Sequence, residues 1–588
     1  MLNATWPCVT ALILTKLSAI WTGFTGGKLA NPARLSTLLL VAVFGAYAAH
    51  WLTLHGGFLF LPELQNDDAR TALFPFHRYG LNPILASDPI AREMMAYVTP
   101  GLWLLYRCLA PVTNLYIASK CVQGLALGIL ILAGCVLVRS RRAGLAPGLL
   151  LIFLVLSDSY AVGRIAGGHA RAFAFPCFAL WVAGVLSARR SARIAAPLIG
   201  ALFYPAVMLM ILAAEGFYSV RGFWRRPLPL VARRLRRFVL LATACVALSL
   251  PSVIGGDRSR GPVHSLQQAQ QEPAFYGNGR LGVLPLGKPT RELTSAFLAR
   301  FSASGHSLWA GRVFNSTEDG VVGALCALSL LIVFRLLGWV SVPNSVNAFV
   351  LGSLALYFAA RLFAFRLYST ERYYAYGMRM VSCLLLTAVA SQFMGYSRRL
   401  RGMARNLLAT VVILSSWLFL GDGIIRNNGM TLDARWDADL YRFIRTLPLT
   451  ARFASHPLDG DGIPYYAARA TNGTFETLQP WFLDSWRRQK TREFETFNAL
   501  YCSKFEDVLA YGEKYAVSHL LLNRERYGED WKQHVSSFEP FTAYAVNLAN
   551  QSGRELPALT HVPDAAVVFD RPPWKIVDLA RLRLTIRN

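Results

Sequence analysis

The chain has 588 residues, of which 54% are hydrophobic and 16% charged, and its mean hydropathy is +0.35. That balance excludes an ordinary soluble globular protein, because the apolar residues recur in runs approaching the roughly 20 needed for a helix to span a bilayer. The net charge of +26 does not point to nucleic acid either, since Lys and Arg lie mostly between apolar runs, where they set topology and meet anionic lipid headgroups.

In chain order, a weak apolar stretch at 8–22 contains Lys16 and is followed by Lys28 and Arg34. Residues 1–34 therefore read as a cytoplasmic or interfacial segment. The first strong span is expected at 35–55. Later spans are expected at 116–138, 144–156, 170–186, 238–254, 320–337, 346–363, 380–395 and 407–420, about nine in all. The segment 195–218 is also apolar, but both its ends are basic and Tyr204-Pro205 sits at its centre. Proline removes a backbone donor and clashes with the preceding turn, so a re-entrant pair of half-helices, returning to the side it came from, is expected here. Arg139, Arg141 and Arg142, then Arg189, Arg190 and Arg193, and the basic runs within 221–237 and 398–405 then all face the cytoplasm.

This topology leaves outer loops at 56–115, 157–170, 255–319 and 366–379. Residues 422–588 carry charges of both signs, strand-like runs at 451–455, 517–523 and 565–570, and helical patterns at 438–446 and 505–514. The expected fold is an α-helical polytopic membrane bundle over 35–421, followed by an extracytoplasmic α/β domain over 422–588. The nine cysteines are scattered without CxxC spacing and imply neither a disulfide framework nor a zinc site.

Chemistry-bearing residues gather in the outer loops. The first contains Asp67, Asp68 and Arg70, then His77. Adjacent carboxylates beside a membrane helix can divide labour, one accepting a proton while the other holds charge or a metal such as Mg²⁺ or Mn²⁺. The second runs from Asp158 through Arg164, Gly167 and Gly168 to His169 and Arg171. Its glycines allow close backbone approach, and its cationic groups suit a phosphate. The fourth offers Glu371, Arg372, Tyr373 and Arg379. Each pattern has a plainer reading too: an acidic helix cap, arginines snorkelling to the interface, or an aromatic belt.

An acidic pair in the first loop, a basic glycine-containing second loop, a proline-broken hairpin, an outer Arg-Tyr pair and a C-terminal α/β region occur here in one order. That layout resembles the GT-C superfamily of integral-membrane glycosyltransferases, which includes protein O-mannosyltransferases, the aminoarabinose transferases of lipid A and oligosaccharyltransferase catalytic subunits. The resemblance implies that Asp67 and Asp68 are the catalytic acidic pair, and that Arg70, His77, Arg164, His169, Arg171, Arg372 and Tyr373 bind the donor and its phosphate. It also implies a polyprenyl-phosphate-linked sugar donor lying in membrane lipid, and a glycan, lipid or protein acceptor. The tryptophan-rich acceptor motif of oligosaccharyltransferases is missing, since Trp481 and Trp486 stand apart. Transfer is expected on the outer face of a bacterial cytoplasmic membrane, and because nucleotide sugars stay in the cytoplasm, that location calls for a lipid-linked donor.

Two other classes compete. A coupled transporter or flippase places ionisable groups near the bilayer midplane and pairs its broken helices. Here the spans are nearly free of acids, with Glu215 the main exception. A non-catalytic membrane protein with an outer binding region would tolerate replacement of Asp67 and Asp68.

Overall fold

The computed structural model describes residues 32–220, 228–254, 260–298 without 283, 285 and 287, 344–392 without 368, 398–426, 431–551 and 555–587. The expected segment at 8–22, the span at 320–337 and the 299–319 part of the third outer loop lie outside these residues.

The chain enters as helix α1 (Pro32–Phe60), which exposes Leu35, Leu39, Val41 and Leu52, as a lipid-facing helix would. Strand β1 (Leu64–Asn66) and short helices α2 (Asp67–Leu73), α3 (Pro89–Met95) and α4 (Pro100–Leu109) build the first loop. The bundle continues through α5 (Leu115–Val138), α6 (Leu145–Leu156), the short α7 (Ser159–Ile165) and α8 (Ala174–Leu186). It is completed by α9 (Arg190–Phe203), α10 (Pro205–Val220), α11 (Leu228–Ile254), α12 (Leu266–Ala269), α13 (Pro289–Leu298), α14 (Asn344–Leu362), α15 (Glu371–Gln392) and α16 (Arg398–Arg426).

Among the described residues, four helices are long and apolar enough to cross a membrane: Pro32–Gly57, Leu115–Val138, Asn344–Leu362 and Glu371–Ser391. They coincide with the spans expected at 35–55, 116–138, 346–363 and 380–395. Those expected at 144–156 and 170–186 form shorter apolar helices, and those at 238–254 and 407–420 form inside α11 and α16, whose N-terminal parts carry arginines. The bundle is held by close approach of small residues, the usual device where lipid supplies no hydrophobic contrast. At the α5–α6 crossing, a Cβ added to Gly148 would lie 2.8 Å from the Gly134 carbonyl oxygen.

The proline break forms the expected hairpin. Helices α9 and α10 meet at Tyr204-Pro205, and their far ends are joined by Arg193 Nη2 to Glu215 Oε2 at 2.6 Å. The hairpin reaches further than half-helices would. At 14 and 16 residues, its arms run about 21 and 24 Å, and its tip touches the first and second loops through Thr99 Oγ1 donating to the Phe203 carbonyl at 3.0 Å and Phe173 stacked on Phe203. The expected outer loop at 366–379 is shorter than the sequence suggests. Glu371 begins α15, because an acidic first turn suits a helix N-terminus even before the apolar run starts.

Strand β2 (Thr431–Asp433) pairs antiparallel with β1, Gln65 opposite Leu432, tying the first loop to the C-terminal region. There α17 (Ala438–Thr446), β3 (Arg452–Ser455), β4 (Ala470–Thr471), α18 (Leu483–Tyr501), α19 (Phe505–Tyr515), β5 (His519–Asn523), α20 (Phe541–Gln551), β6 (Val567–Arg571), β7 (Trp574–Asp578) and α21 (Leu579–Arg587) follow. The sheet order is β4-β3-β5-β7-β6, with β4, β3 and β5 parallel and the last two antiparallel. One core runs from the bundle (Tyr47, Phe153, Phe173) into this region (Tyr441, Phe453, Tyr465), while a second, around Trp486, Phe497, Trp531 and Phe541, belongs mainly to the C-terminal elements.

Candidate functional site

The site forms where the first and second loops meet beneath the C-terminal region. Strand β1 delivers Asn66, whose Nδ2 donates to the Gly163 carbonyl at 2.9 Å, and helix α2 starts immediately with Asp67 and Asp68 in its first turn. Asp158 caps α7, accepting from the Ala161 amide at 3.1 Å, and also pairs with Arg379. That cap sets the helix that aims Arg164. Beyond it Gly167 and Gly168 adopt φ of +100° and +62°. A Cβ at Gly168 would lie 2.2 Å from the Ser119 carbonyl oxygen, so only glycine allows the turn that brings His169 and Arg171 back to the same point.

Three groups converge on Asp68. Its Oδ2 accepts from Arg164 Nη1 at 2.6 Å and from Arg171 Nη1 at 2.5 Å, with His169 Nε2 at 3.8 Å. Burial alone would raise the carboxyl, but the guanidinium groups of Arg171, Arg164 and Arg372 hold it well below the usual carboxylate range. Burial, helped by the arginines and opposed by Asp68, pushes His169 down to about 3, so its ring is neutral at physiological pH. Neither of its ring nitrogens has a hydrogen-bond partner among the described residues. Arg372 adds positive potential to both groups and lies over the Tyr204 ring at the hairpin tip, 5.9 Å from its centroid. Asp67 is different: its side chain is 40% exposed, and Arg70 Nη2 donates to its Oδ1 at 2.5 Å.

Two residues that the resemblance assigned to donor binding sit elsewhere. His77 is buried with Nε2 2.7 Å from the Tyr465 carbonyl, burial pushing its ring down to about 4, and it pins the first loop to the C-terminal turn Ile463–Ala467. Tyr373 is fully buried and donates to the Leu367 carbonyl at 2.9 Å, closing the turn before α15.

A second charged layer, carried by residues that no sequence motif singles out, lies beside Asp67. Arg70 also lies 3.8 Å from Asp461, whose Oδ1 accepts from the Glu476 amide at 3.0 Å. Glu476 pairs with Arg280 at 2.9 Å. Burial first, with Asp67, Asp461 and Asp68 adding repulsion against the pull of Arg280, raises Glu476 to about 7. These residues come from the first loop, the 260–298 segment and the C-terminal region, and no local motif links them. A divalent cation such as Mg²⁺ or Mn²⁺ does not fit the donor set. Two guanidinium groups occupy one Asp68 oxygen, arginines hold Asp67 and Glu476, and among the described residues no three His, Cys, Asp or Glu side chains are placed to ligate one ion.

No protein-family model and no curated protein sequence matches the chain. Among solved structures it is similar to the oligosaccharyltransferase of Archaeoglobus fulgidus in its apo form, at 15% identity over 86% of this chain and 72% of the other, with a TM-score of 0.44. It is also similar to apo ArnT from Cupriavidus metallidurans, at 14% identity over 92% and 99% of the two chains, with a TM-score of 0.41. The Archaeoglobus fulgidus oligosaccharyltransferase AglB with an inhibitory peptide and a dolichol-phosphate aligns at 13% identity over 87% and 72%, with a TM-score of 0.41. These neighbours are GT-C superfamily membrane glycosyltransferases.

Proposed function

We propose that the chain is a membrane glycosyltransferase of GT-C type. In this reading it moves a sugar from a polyprenyl-phosphate-linked donor to a cell-envelope glycan, lipid or protein acceptor on the outer face of a bacterial cytoplasmic membrane, with residues 422–588 outside. The observation that carries the reading is the convergence of Arg164, Arg171 and His169 on Asp68, beside the more open Asp67.

A guanidinium has five donors, and Asp68 uses one Nη of each arginine, so both retain donors for a phosphate. Asp68 stays ionised and serves as the anchor that aims them. The acceptor hydroxyl attacks the anomeric carbon, the bond from that carbon to the phosphate oxygen breaks, and its electron pair leaves with the polyprenyl phosphate. Arg164, Arg171 and Arg372 stabilise that growing negative charge. Asp67 takes the hydroxyl proton and returns it to water. Base assistance of this kind contributes roughly 10²- to 10⁴-fold to a rate.

The test is sugar transfer by the full chain in nanodiscs, supplied with polyprenyl-phosphate sugars. Asp67→Asn should lower turnover by roughly two to four orders of magnitude while leaving donor binding intact. Transfer at the parental rate by both Asp67→Asn and Asp68→Asn would refute the assignment. Movement of the intact lipid-linked sugar between leaflets, with no transfer, would favour the flippase class.

A further inference from the structure

A cavity lies at the other end of the hairpin from Tyr204-Pro205. Helices α9, α10 and α11 enclose a cavity of about 660 Å³ whose lining includes Arg190, Arg193, Arg234 and Arg237 against one carboxylate, Glu215. Glu215 is already taken: Arg193 binds it through Nε at 2.9 Å and Nη2 at 2.6 Å, and Trp181 Nε1 donates to it at 2.7 Å. Arg190, Arg234 and Arg237 have no acidic partner among the described residues.

Apart from Tyr218 and Ser219, the rest of the lining is apolar, and its placement along the helices is what identifies the ligand. Helix α9 starts at Arg190 and runs through Ile194 to Leu198, while α11 passes from Arg234 and Arg237 to Leu241 and Ala244. At 1.5 Å per residue, these apolar walls extend about 12 and 15 Å from the outermost arginines. Charge sits at the mouth and hydrocarbon below it. A soluble anion would use only the mouth, whereas a phospholipid would use both.

We propose that this cavity binds an anionic glycerophospholipid, its phosphodiester held by Arg190, Arg234 and Arg237 and an acyl chain lying along Ile194, Leu198, Leu241 and Ala244. The Arg193–Glu215 pair forms the back of the headgroup site and keeps the two arms of the hairpin together. Basic pockets between membrane helices on the cytoplasmic side are suited to such headgroups. The inference does not depend on the glycosyltransferase reading.

The test uses the full chain purified in detergent, given phosphatidylglycerol or phosphatidylcholine, with retained lipid read by native mass spectrometry and stability read as Tm. Phosphatidylglycerol should be retained and raise Tm, and phosphatidylcholine should do neither. The double variant Arg234→Gln with Arg237→Gln should weaken retention by roughly tenfold or more, and Arg190→Gln, at an exposed helix start, by about threefold to fivefold. Arg139→Gln with Arg141→Gln removes equal charge at the same end but outside the cavity, and should change retention less than about twofold. Equal loss in that control pair would mean diffuse attraction to charge and overturn the site. So would unchanged retention in the Arg190→Gln and Arg234/Arg237 variants, or displacement of the lipid by millimolar inorganic phosphate, which would make it a free-phosphate site.

Discussion

Arg171 and Asp68, 103 residues apart in sequence, are joined by a 2.5 Å hydrogen bond from Nη1 to Oδ2. The same oxygen takes Arg164, so the carboxylate acts as the fixed point about which the second loop is folded. A group so strongly held in its ionised form is a poor proton acceptor. That separates the two neighbouring acids by role: Asp68 organises cations, and Asp67 remains the candidate base.

Replacing Asp68 by Asn should therefore cost stability as well as activity. Removing one partner of a fully buried ion pair costs roughly 3–5 kcal/mol. Asp68 is 27% exposed, so about 2–3 kcal/mol is expected, visible as a lower Tm in detergent. The pH dependence follows from the depressed carboxyl. Its stabilising contribution is complete above the ordinary carboxylate value of 3.8 and is lost as pH falls below that toward the folded-state value. The Tm gap between parent and Asp68→Asn should stay constant from pH 8 to 5 and close only in stronger acid. A gap that vanished near pH 6 would assign the stabilisation to another group.

Gly168→Ala should damage the site from within the backbone. A left-handed conformation costs a residue with a Cβ roughly 1–2 kcal/mol, and the added carbon would also press on the Ser119 carbonyl. The turn must shift, taking His169 and Arg171 with it, so the KM for a lipid-phosphate donor should rise together with the fall in Tm. Gly144→Ala is the comparison: φ is +90° there, but a Cβ would meet nothing within 4 Å. It should lower Tm through the same kind of backbone strain, about 1–3 kcal/mol, and leave KM unchanged. Equal KM effects in the two variants would remove the argument for Gly168.

The parts of this arrangement that could be read in the sequence are those fixed by position relative to apolar runs. Asp67, Asp68, Arg164, His169 and Arg171 flank spans in two successive loops, so alternation of the chain brings them to one end. His77 and Tyr373 satisfied the same criterion and turned inward, because loop position does not say which way a side chain points. Asp461, Glu476 and Arg280 were unreadable for a different reason: they meet only through contacts between the 260–298 segment and the C-terminal region. Strands β3, β5 and β6 form at the runs expected at 451–455, 517–523 and 565–570, though their burial does not alternate, whereas β4 has two residues and β7 follows Pro572-Pro573. Helix α18 buries Trp486, Glu493 and Phe497 on a face otherwise surrounded by charge, which hid its periodicity.

Glu493 itself gives a third prediction. It is buried, its Oε1 lacks a hydrogen-bond partner among the described residues, and burial, only partly offset by Arg492, pushes its carboxyl up to about 8. Between the ordinary value of 4.5 and about 8, the unfolded chain releases this proton while the folded chain keeps it, so stability falls as pH rises. The slope should be about 1.4 kcal/mol per pH unit from this group alone. Glu493→Gln should remove that slope, so that Tm measured from pH 5 to 8 declines less steeply than in the parent. Parallel Tm profiles would show that Glu493 is already ionised in the folded protein.

The orientation of the whole assembly is tested by the hairpin. If 195–218 crossed the membrane once, its two basic flanks would lie on opposite sides. One of them would then oppose a bias of about 1 kcal/mol for each Lys or Arg near an anionic cytoplasmic surface. The Arg193–Glu215 pair argues against a single crossing, because it joins the beginning of α9 to the end of α10 and so holds both flanks at one end of the bundle. Arg405 Nη1 donating to the Ala143 carbonyl brings two more basic connections together. The loops bearing Asp68, Arg171 and the C-terminal region gather at the opposite end. A reporter active only outside the cytoplasm should therefore be active when fused after Asn588 and silent when inserted between Arg221 and Arg237. Activity at the second position with silence at the first would put Asp67 and Asp68 on the cytoplasmic side, where nucleotide sugars are available, and remove the reason for a lipid-linked donor.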